Sequence, residues 1–181
     1  MRADLPSLRT VSIVREIERT FAVGCDRPDF RLVHYSLQGN HAHLIVEARD
    51  RLALGRGMMA VGARLARAVN RVVGRKGRVL ADRYHVRMLP TPREVHRALR
   101  YLLLNARRHA GKVRSAIRGS SGLDPASSAR WFSGWKRAAG GKGAERDEPV
   151  LSRPPVARAR TWLLTVGWRR HGLLDPADVP G

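Results

Sequence analysis

Two short stretches, far apart in the chain, carry side chains that could do chemistry together. His41 and His43 are two residues apart in an apolar run, and Tyr101 and Asn105 are four residues apart. In a β-strand, residues i and i+2 point to the same face, so the two histidines can bind one ion. On an α-helix, residues i and i+4 lie one above the other, so the phenol and the amide can be presented together. The two pairs predict a metal site beside a tyrosine nucleophile.

Cleavage of a phosphodiester needs a nucleophile and a cation that absorbs the charge developing on the non-bridging oxygens. His41 and His43 offer imidazole nitrogens and Asn105 offers an amide oxygen, a mixed set that suits Mg²⁺ or Mn²⁺. Zinc remains an alternative, although no Cys-based or His-Glu-x-x-His motif supports it. Tyr101 attacking a DNA phosphate would conserve the bond energy in a phosphotyrosine, so that a strand could later be rejoined. Glu47 shares the histidine face, either as a carboxylate beside the metal ligands or as a solvated strand end.

A simpler interpretation of each feature stays open. An isolated His-x-His pair on a strand is commonly two hydrogen-bonded side chains with no metal. Tyr101 could be an amphipathic residue at the rim of the core. The motifs must therefore be weighed together.

Three motifs in this order resemble those of the single-tyrosine HUH transposases, and among these the REP-associated tyrosine transposases. The family's Asn-His-x-His-apolar run is matched by residues 40–46, its Arg-Tyr strand by residues 82–85, and its tyrosine helix by residues 101–107. The matched region covers roughly residues 8–110. The resemblance implies cleavage of single-stranded DNA near a hairpin, with the 5′ phosphate retained on Tyr101 and a 3′ hydroxyl released.

The resemblance also implies an α+β fold, with a ferredoxin-like antiparallel sheet and helices on one face, in a domain of residues 1–112. The predicted elements are in the order αββαβα, whereas the family's order resembles βαββαβ. The family's first strand lies beside the histidine strand, and residues 1–6 are too short and too limited by Pro6 to supply it. We expect one unpaired edge on the histidine strand, and Met1 to be a start assigned too late or the remnant of a lost element.

Apolar periodicity indicates the elements that position these motifs. Residues 8–23 have the pattern of a helix with Ser7 as its cap, and two strands follow at 30–37 and 41–48. Residues 54–73 predict a long amphipathic helix. A strand is predicted over 79–89 from its alternation.

The tyrosine helix has the strongest start signal in the chain. Thr91 is a cap, Pro92 occupies the first helical position, and Glu94 lies three residues after the cap. The helix is expected to bury Val95, Leu99, Leu102 and Ala106. Tyr101 and Asn105 then fall on a neighbouring polar flank with Arg97 and Arg108.

Residues 113–181 are predicted to be a linker and a C-terminal helical extension. Residues 119–122 and 139–143 are rich in glycine, as in flexible loops. A helix is expected over 156–170, with tryptophans that favour packing against the core. A direct contact with DNA is the alternative for this helix.

The composition points to a polyanionic partner. The net charge is +20, and 31 of the 35 basic residues are arginine, whose fork binds phosphate bidentately. A GC-rich genome would explain the excess of arginine over lysine, but it would not explain the excess of basic over acidic residues. Nucleic acid is therefore the expected partner. The cations expected to contact DNA are Arg67, Arg71, Arg75, Lys76, Arg83, Arg97 and Arg108.

Other features restrict the class of protein. The single cysteine, Cys25, excludes an internal disulfide and a Cys-based zinc finger. The N-terminal residues lack the apolar core of a signal peptide, and no apolar run approaches the length of a membrane span. We therefore expect a cytoplasmic protein with no membrane partner.

Two functions from different classes fit these observations. The first is a DNA transposase that cleaves and rejoins hairpin-associated single-stranded DNA with Mg²⁺ or Mn²⁺. The second is a catalytically inactive nucleic-acid-binding protein, truncated or domesticated. A monomer and a homodimer both fit, with the tyrosine acting on its own subunit's metal or on a partner's.

Overall fold

The structure, a computed structural model, describes residues 1–2, 4–110, 123–136 and 153–178, with the backbone alone for residues 106–110. The helices and strands are α1 (Val11–Gly24), β1 (Phe30–Leu37), β2 (Ala42–Ala48), α2 (Arg51–Val73), α3 (Pro92–Ala110) and α4 (Trp162–Thr165). Two 3₁₀ turns, Ser128–Trp131 and Gly167–His171, lie in the C-terminal extension. Helices together with one antiparallel sheet confirm the predicted α+β class. The ferredoxin-like topology stays a prediction.

The sheet of the described residues is a single hairpin. β1 and β2 pair antiparallel, with Leu37 opposite Ala42 at the end next to the bend. Gln38 N donates to His41 O at 2.8 Å and closes the bend. The predicted hairpin is confirmed, although His41 lies in the bend just before β2 rather than in the strand.

One face of the hairpin packs against α1 and α2. Side chains of α1, β1 and α2 form this first cluster, which includes Ile13, Ile17, Phe21, Leu32, Leu37, Ala68 and Val69. Ala42, Leu44 and Val46 of β2 pack against it, as strand alternation predicts. A Cβ on Gly57 of α2 would lie 2.0 Å from the Phe30 ring, so α2 comes closest to β1 at this glycine.

The other face of the hairpin is covered by α3 and the C-terminal extension. This second cluster joins Ile45 of β2 to buried residues of α3 and of the extension, which are Val95, Leu99, Leu102, Leu103, Ala129, Phe132, Trp168 and Leu174. The expected arrangement, with helices on one face of the sheet, therefore holds for α1 and α2. α3 lies on the opposite face, which is the face that carries His43.

The helix ends show which local signals position the elements. Asp50, which the sequence analysis did not identify as a cap, accepts from Ala53 N at 2.7 Å and starts α2 earlier than predicted. Gly74 ends α2 in the left-handed region, at φ 70°. Ser7 does not cap α1; its Oγ accepts from Arg9 N, and the helix begins at Val11.

The strand predicted over residues 79–89 is not present. These residues have no ladder partner in the part of the chain that the structure describes. Val79 is buried in the first cluster and its carbonyl accepts from Arg2 N, but residues 82–88 are exposed. Apolar and polar residues do alternate in this stretch. The predicted strand was nevertheless wrong, because a strand also needs a neighbouring strand to pair with, and alternation alone does not supply one.

The helix predicted over residues 156–170 is also wrong. The chain runs without regular structure to Arg160, forms the single turn α4, and continues into the 3₁₀ turn Gly167–His171. The prediction that the extension packs on the core is confirmed, since Trp168 is only 2% exposed. The glycine-rich stretches 119–122 and 139–143 lie outside the described residues, and the boundary at residue 112 stays a prediction.

The two edges of the hairpin differ. The outer edge of β1 is bridged by Ser127, opposite Ser36, and its Leu32 carbonyl accepts from Ala157 N at 2.8 Å. The outer edge of β2 has no backbone partner among the described residues. The unpaired edge expected on the histidine strand stays a prediction.

Candidate active site

The hairpin bend brings the two histidines together. His41 Nε2 and His43 Nε2 lie 3.2 Å apart, and the two rings are nearly perpendicular at 87°. Because His41 leaves the bend and His43 follows two residues later, both rings project to the face that α3 covers. The convergence of two ring nitrogens is the arrangement expected of a pair that can bind one cation.

Asn40 sets the orientation of the first histidine. Its Oδ1 lies 2.8 Å from His41 Nδ1, and since the amide oxygen is an acceptor, Nδ1 carries the proton. In this tautomer the lone pair is on Nε2 of His41, which is the form required of a metal ligand. Sequence reasoning gave no role to Asn40, although its place directly before His41 is the signal for such a contact.

α3 places Tyr101 beside this pair. Thr91 fixes the start of α3 as predicted, since its Oγ1 donates to Glu94 Oε2 at 2.7 Å and accepts from Glu94 N at 3.3 Å. The Tyr101 ring lies 5.3 Å from the His43 ring, centroid to centroid, at 79°. Tyr101 is 37% exposed, so a substrate can reach it. No described residue hydrogen bonds to its hydroxyl.

Asn105, the third predicted ligand, is buried. It lies one helical turn after Tyr101 and is 1% exposed, so it does not occupy the solvated flank that the sequence predicted. Its Oδ1 has no hydrogen-bond partner among the residues that the structure describes. A buried amide oxygen without a partner costs about 1–3 kcal/mol, and the cost is removed when the oxygen binds a cation.

These residues fit a divalent cation. Partial burial, together with the nearby His41, lowers the pKa of His43, which keeps its ring neutral and able to bind metal at neutral pH. The donor set of two imidazole nitrogens and one amide oxygen matches Mg²⁺ or Mn²⁺. Within the described ranges no group of three or more His, Cys, Asp or Glu is placed to hold a metal, and Asn105 stays the predicted third ligand.

Glu47 is not the solvated strand end that was one of its two predicted roles. It is 6% exposed, and its carboxylate accepts from the backbone of the C-terminal extension. Arg160 N donates to it at 3.0 Å, and Thr161 donates from both N and Oγ1 at 2.7 Å. The sequence separation between these partners left no local signal for the contact.

The cations expected to bind DNA divide into three groups. Arg67, Lys76, Arg83 and Arg97 are exposed, with no ion pair to any described residue. Arg71 pairs with Glu16 and Arg75 with Asp4, so part of their charge is already neutralised. The side chain of Arg108 lies outside the described residues. Among these cations, Arg97 lies one helical turn before Tyr101. Helix α2 and the loop that follows it lie on the other side of the hairpin.

Other ionisable groups are buried away from the site. Tyr35 Oη donates to Glu18 at 2.6 Å inside the first cluster, and burial raises the pKa of both side chains. Burial also raises the pKa of Cys25 to about 12, so this thiol is not a nucleophile at neutral pH. Tyr101, in contrast to these side chains, is exposed and lies beside His43.

Comparison with known proteins adds no assignment. No family model, no curated protein and no solved structure matches the chain. In the ranges that the structure describes, no helix has both the length and the apolar character needed to cross a membrane.

Proposed function

We propose that this protein is a metal-dependent single-strand DNA endonuclease and strand transferase of the HUH type, with Tyr101 as its nucleophile. The observation that carries the proposal is the convergence of His41 and His43 at 3.2 Å beside the accessible Tyr101 ring. The buried Oδ1 of Asn105, which has no hydrogen-bond partner in the described part of the chain, supports it independently. A structural histidine pair would need neither a nucleophile beside it nor an unsatisfied oxygen one turn away.

In the proposed reaction Tyr101 Oη attacks the phosphorus of a DNA phosphodiester. The bond from phosphorus to the 3′ oxygen breaks, the phenol proton passes to solvent, and the 3′ oxygen takes a proton and leaves as a hydroxyl. The 5′ phosphate stays on Tyr101, and a 3′ hydroxyl from another strand end reverses the step to join the DNA. A divalent cation bound by His41, His43 and Asn105 would neutralise charge on the non-bridging oxygens.

The proposed substrate is single-stranded DNA beside a hairpin, in agreement with the family resemblance. The net charge of +20 and the exposed cations Arg67, Lys76, Arg83 and Arg97 support a polyanionic partner. Four described cations without an ion pair can each release counterions from the DNA backbone. We further propose a cytoplasmic monomer or homodimer.

A second candidate function is a DNA-binding protein without cleavage activity. The outer edge of β2, which has no backbone partner among the described residues, favours it, because a strand held on one side holds metal ligands less rigidly than a strand held on both. Both candidates bind DNA, and only the chemistry separates them.

The test is to incubate the full chain with a labelled hairpin-bearing oligonucleotide and Mn²⁺ or Mg²⁺. The endonuclease forms a DNA adduct that survives boiling in detergent, releases a fragment with a 3′ hydroxyl, and is inhibited by a chelator. Tight DNA binding with no adduct in the presence of either metal would exclude the endonuclease and favour the DNA-binding protein without cleavage activity.

A further inference from the structure

Glu47 connects the histidine strand to the C-terminal extension. His43, Ile45 and Glu47 share one face of β2, and the Glu47 carboxylate accepts three hydrogen bonds from Arg160 N and from the N and Oγ1 of Thr161. Both partner nitrogens are backbone groups, so Glu47 fixes the path of the main chain just before α4. Three short charge-assisted hydrogen bonds at a buried carboxylate make a rigid attachment.

The same segment is attached to the tyrosine helix through Trp168. Trp168 is 2% exposed and packs in the second cluster with Leu99 and Leu102 of α3. Its ring lies 5.4 Å from that of Phe132, and its Nε1 donates to Leu164 O at 3.2 Å. The segment from residue 160 to residue 174 therefore contacts β2 at one end and α3 at the other.

The chain between β2 and α3 does not provide an equivalent connection. It passes through α2, on the far side of the hairpin, and through the exposed residues 82–88, which have no ladder partner among the described residues. The position of Tyr101 relative to His43 thus depends on packing in the second cluster. An in-line attack tolerates little error, since a displacement of about 1 Å costs roughly a hundredfold in rate.

We propose that Glu47 is a positioning residue that, through Thr161 and Trp168, holds α3 at the place where Tyr101 meets the histidine pair. The proposal deepens the proposed strand-transferase function and rests on it. Glu47 touches no reacting atom. Its effect passes through the backbone of residues 160–161 and the packing of Trp168.

A purely structural role has to be separated from this one. Glu47 also lies 3.7 Å from Arg31 Nη1, so its loss leaves a buried cation with less compensation and lowers stability generally. Thr161→Val removes one of the three hydrogen bonds and leaves the Glu47 carboxylate and Arg31 intact. Thr161→Ser keeps the hydroxyl and is the matched rescue variant.

Asp124→Asn is the control for loss of a buried carboxylate. Asp124 is 6% exposed and accepts from Arg9 Nη2 at 2.7 Å and from Ala126 N at 3.0 Å. It anchors residues 123–128 and has no contact with Arg160 or Thr161 in the described chain. A general loss of stability affects this variant as it affects Glu47→Gln.

The first measurement is amide hydrogen exchange on the full chain without DNA or metal. Glu47→Gln and Thr161→Val should speed exchange in residues 96–104 of α3 and in residues 161–171, with α1 unchanged, because the weakened contact is one that joins β2 to the second cluster. Thr161→Ser should exchange like wild type. Exchange in α3 that is unchanged in Glu47→Gln, or that rises equally in α1, would overturn the proposal.

The second measurement is the rate of adduct formation at a temperature at which every variant is folded. Glu47→Gln and Thr161→Val should slow it by about tenfold to a hundredfold while Mn²⁺ and DNA affinities stay at wild-type values. Thr161→Ser and Asp124→Asn should retain the wild-type rate. An equal loss in Asp124→Asn would overturn the positioning role, whereas a wild-type chain that forms no adduct would overturn the proposed function itself.

Discussion

At the scale of single residues, His41 and His43 carry the most specific expectation. Because their Nε2 atoms converge at 3.2 Å, replacing both with alanine should lower Mn²⁺ affinity by more than about tenfold. DNA affinity should change little, since the double variant loses no arginine. Isothermal titration calorimetry measures the first effect. His85→Ala, which removes an exposed histidine outside the site, is the control, and Mn²⁺ binding by the double variant at wild-type affinity would exclude the metal site.

His34 gives a pH dependence whose sign is defined. Burial lowers its pKa from 6.5 to about 4, so below pH 6.5 the unfolded chain binds a proton that the folded chain still rejects. The contribution of His34 to the free energy of unfolding is fully present above pH 6.5. It is lost as the pH drops towards 4, and the loss amounts to about 3 kcal/mol. His34→Gln should flatten the fall in urea-unfolding free energy over this range. Parallel pH profiles for the two proteins would contradict this assignment.

The residues that sequence reasoning found and those it missed differ in how local their partners are. Tyr101 and Asn105 are one helical turn apart, and His41 and His43 two strand positions apart, so spacing alone groups each pair. The partners of Glu47 lie in a segment far along the chain, and no spacing rule reaches them. The spacing predicts Asn105 as a ligand, but it does not predict its burial, which depends on how α3 packs on the sheet.

At the scale of elements, two glycines of α2 make a matched pair of variants. Gly57→Ala would place a Cβ 2.0 Å from the Phe30 ring, and we expect it to destabilise by about 1–3 kcal/mol. Gly55 has nothing within 4 Å of its Cβ position, so Gly55→Ala should stabilise by about 0.5–1 kcal/mol through helix propensity. Urea denaturation measures both. Two changes of the same sign would show that α2 does not meet β1 at Gly57.

The predicted elements succeeded where their signals were local and failed where a partner was needed. α1, α2 and α3 were found from apolar periodicity, and the capping residues of α3 were correct because a capping box is complete within four residues. Residues 79–89 alternate like a strand but have no described neighbour to pair with. The C-terminal helix failed because Trp168 packs through a 3₁₀ turn, a geometry that the tryptophan spacing does not specify.

At the scale of the whole molecule, the excess of positive charge predicts a strong salt dependence of DNA binding. Each phosphate contact contributes a slope of about −0.7 in a plot of log affinity against log salt for single strands. Replacing Arg67, Lys76 and Arg83, which form no ion pair with a described residue, with alanine should therefore reduce the slope by about 2. Replacing Arg71 and Arg75 should change it less per residue, because Glu16 and Asp4 already neutralise them. Fluorescence anisotropy over a salt series measures the slopes, and equal effects per residue would contradict the division between paired and unpaired cations.

The central claim is that Tyr101 becomes covalently linked to DNA. The chain has three tyrosines; Tyr35 is buried, and Tyr84 is 45% exposed and so is the matched control for Tyr101. The most direct measurement is mass spectrometry of the adduct formed with a hairpin-bearing oligonucleotide and Mn²⁺, in wild type, Tyr101→Phe and Tyr84→Phe. In wild type and Tyr84→Phe we predict that the Tyr101 peptide carries a nucleotide joined through its 5′ phosphate. We predict no adduct in Tyr101→Phe, although this variant should retain its DNA affinity. An adduct that persists in Tyr101→Phe, or one mapped to another residue, would contradict the claim.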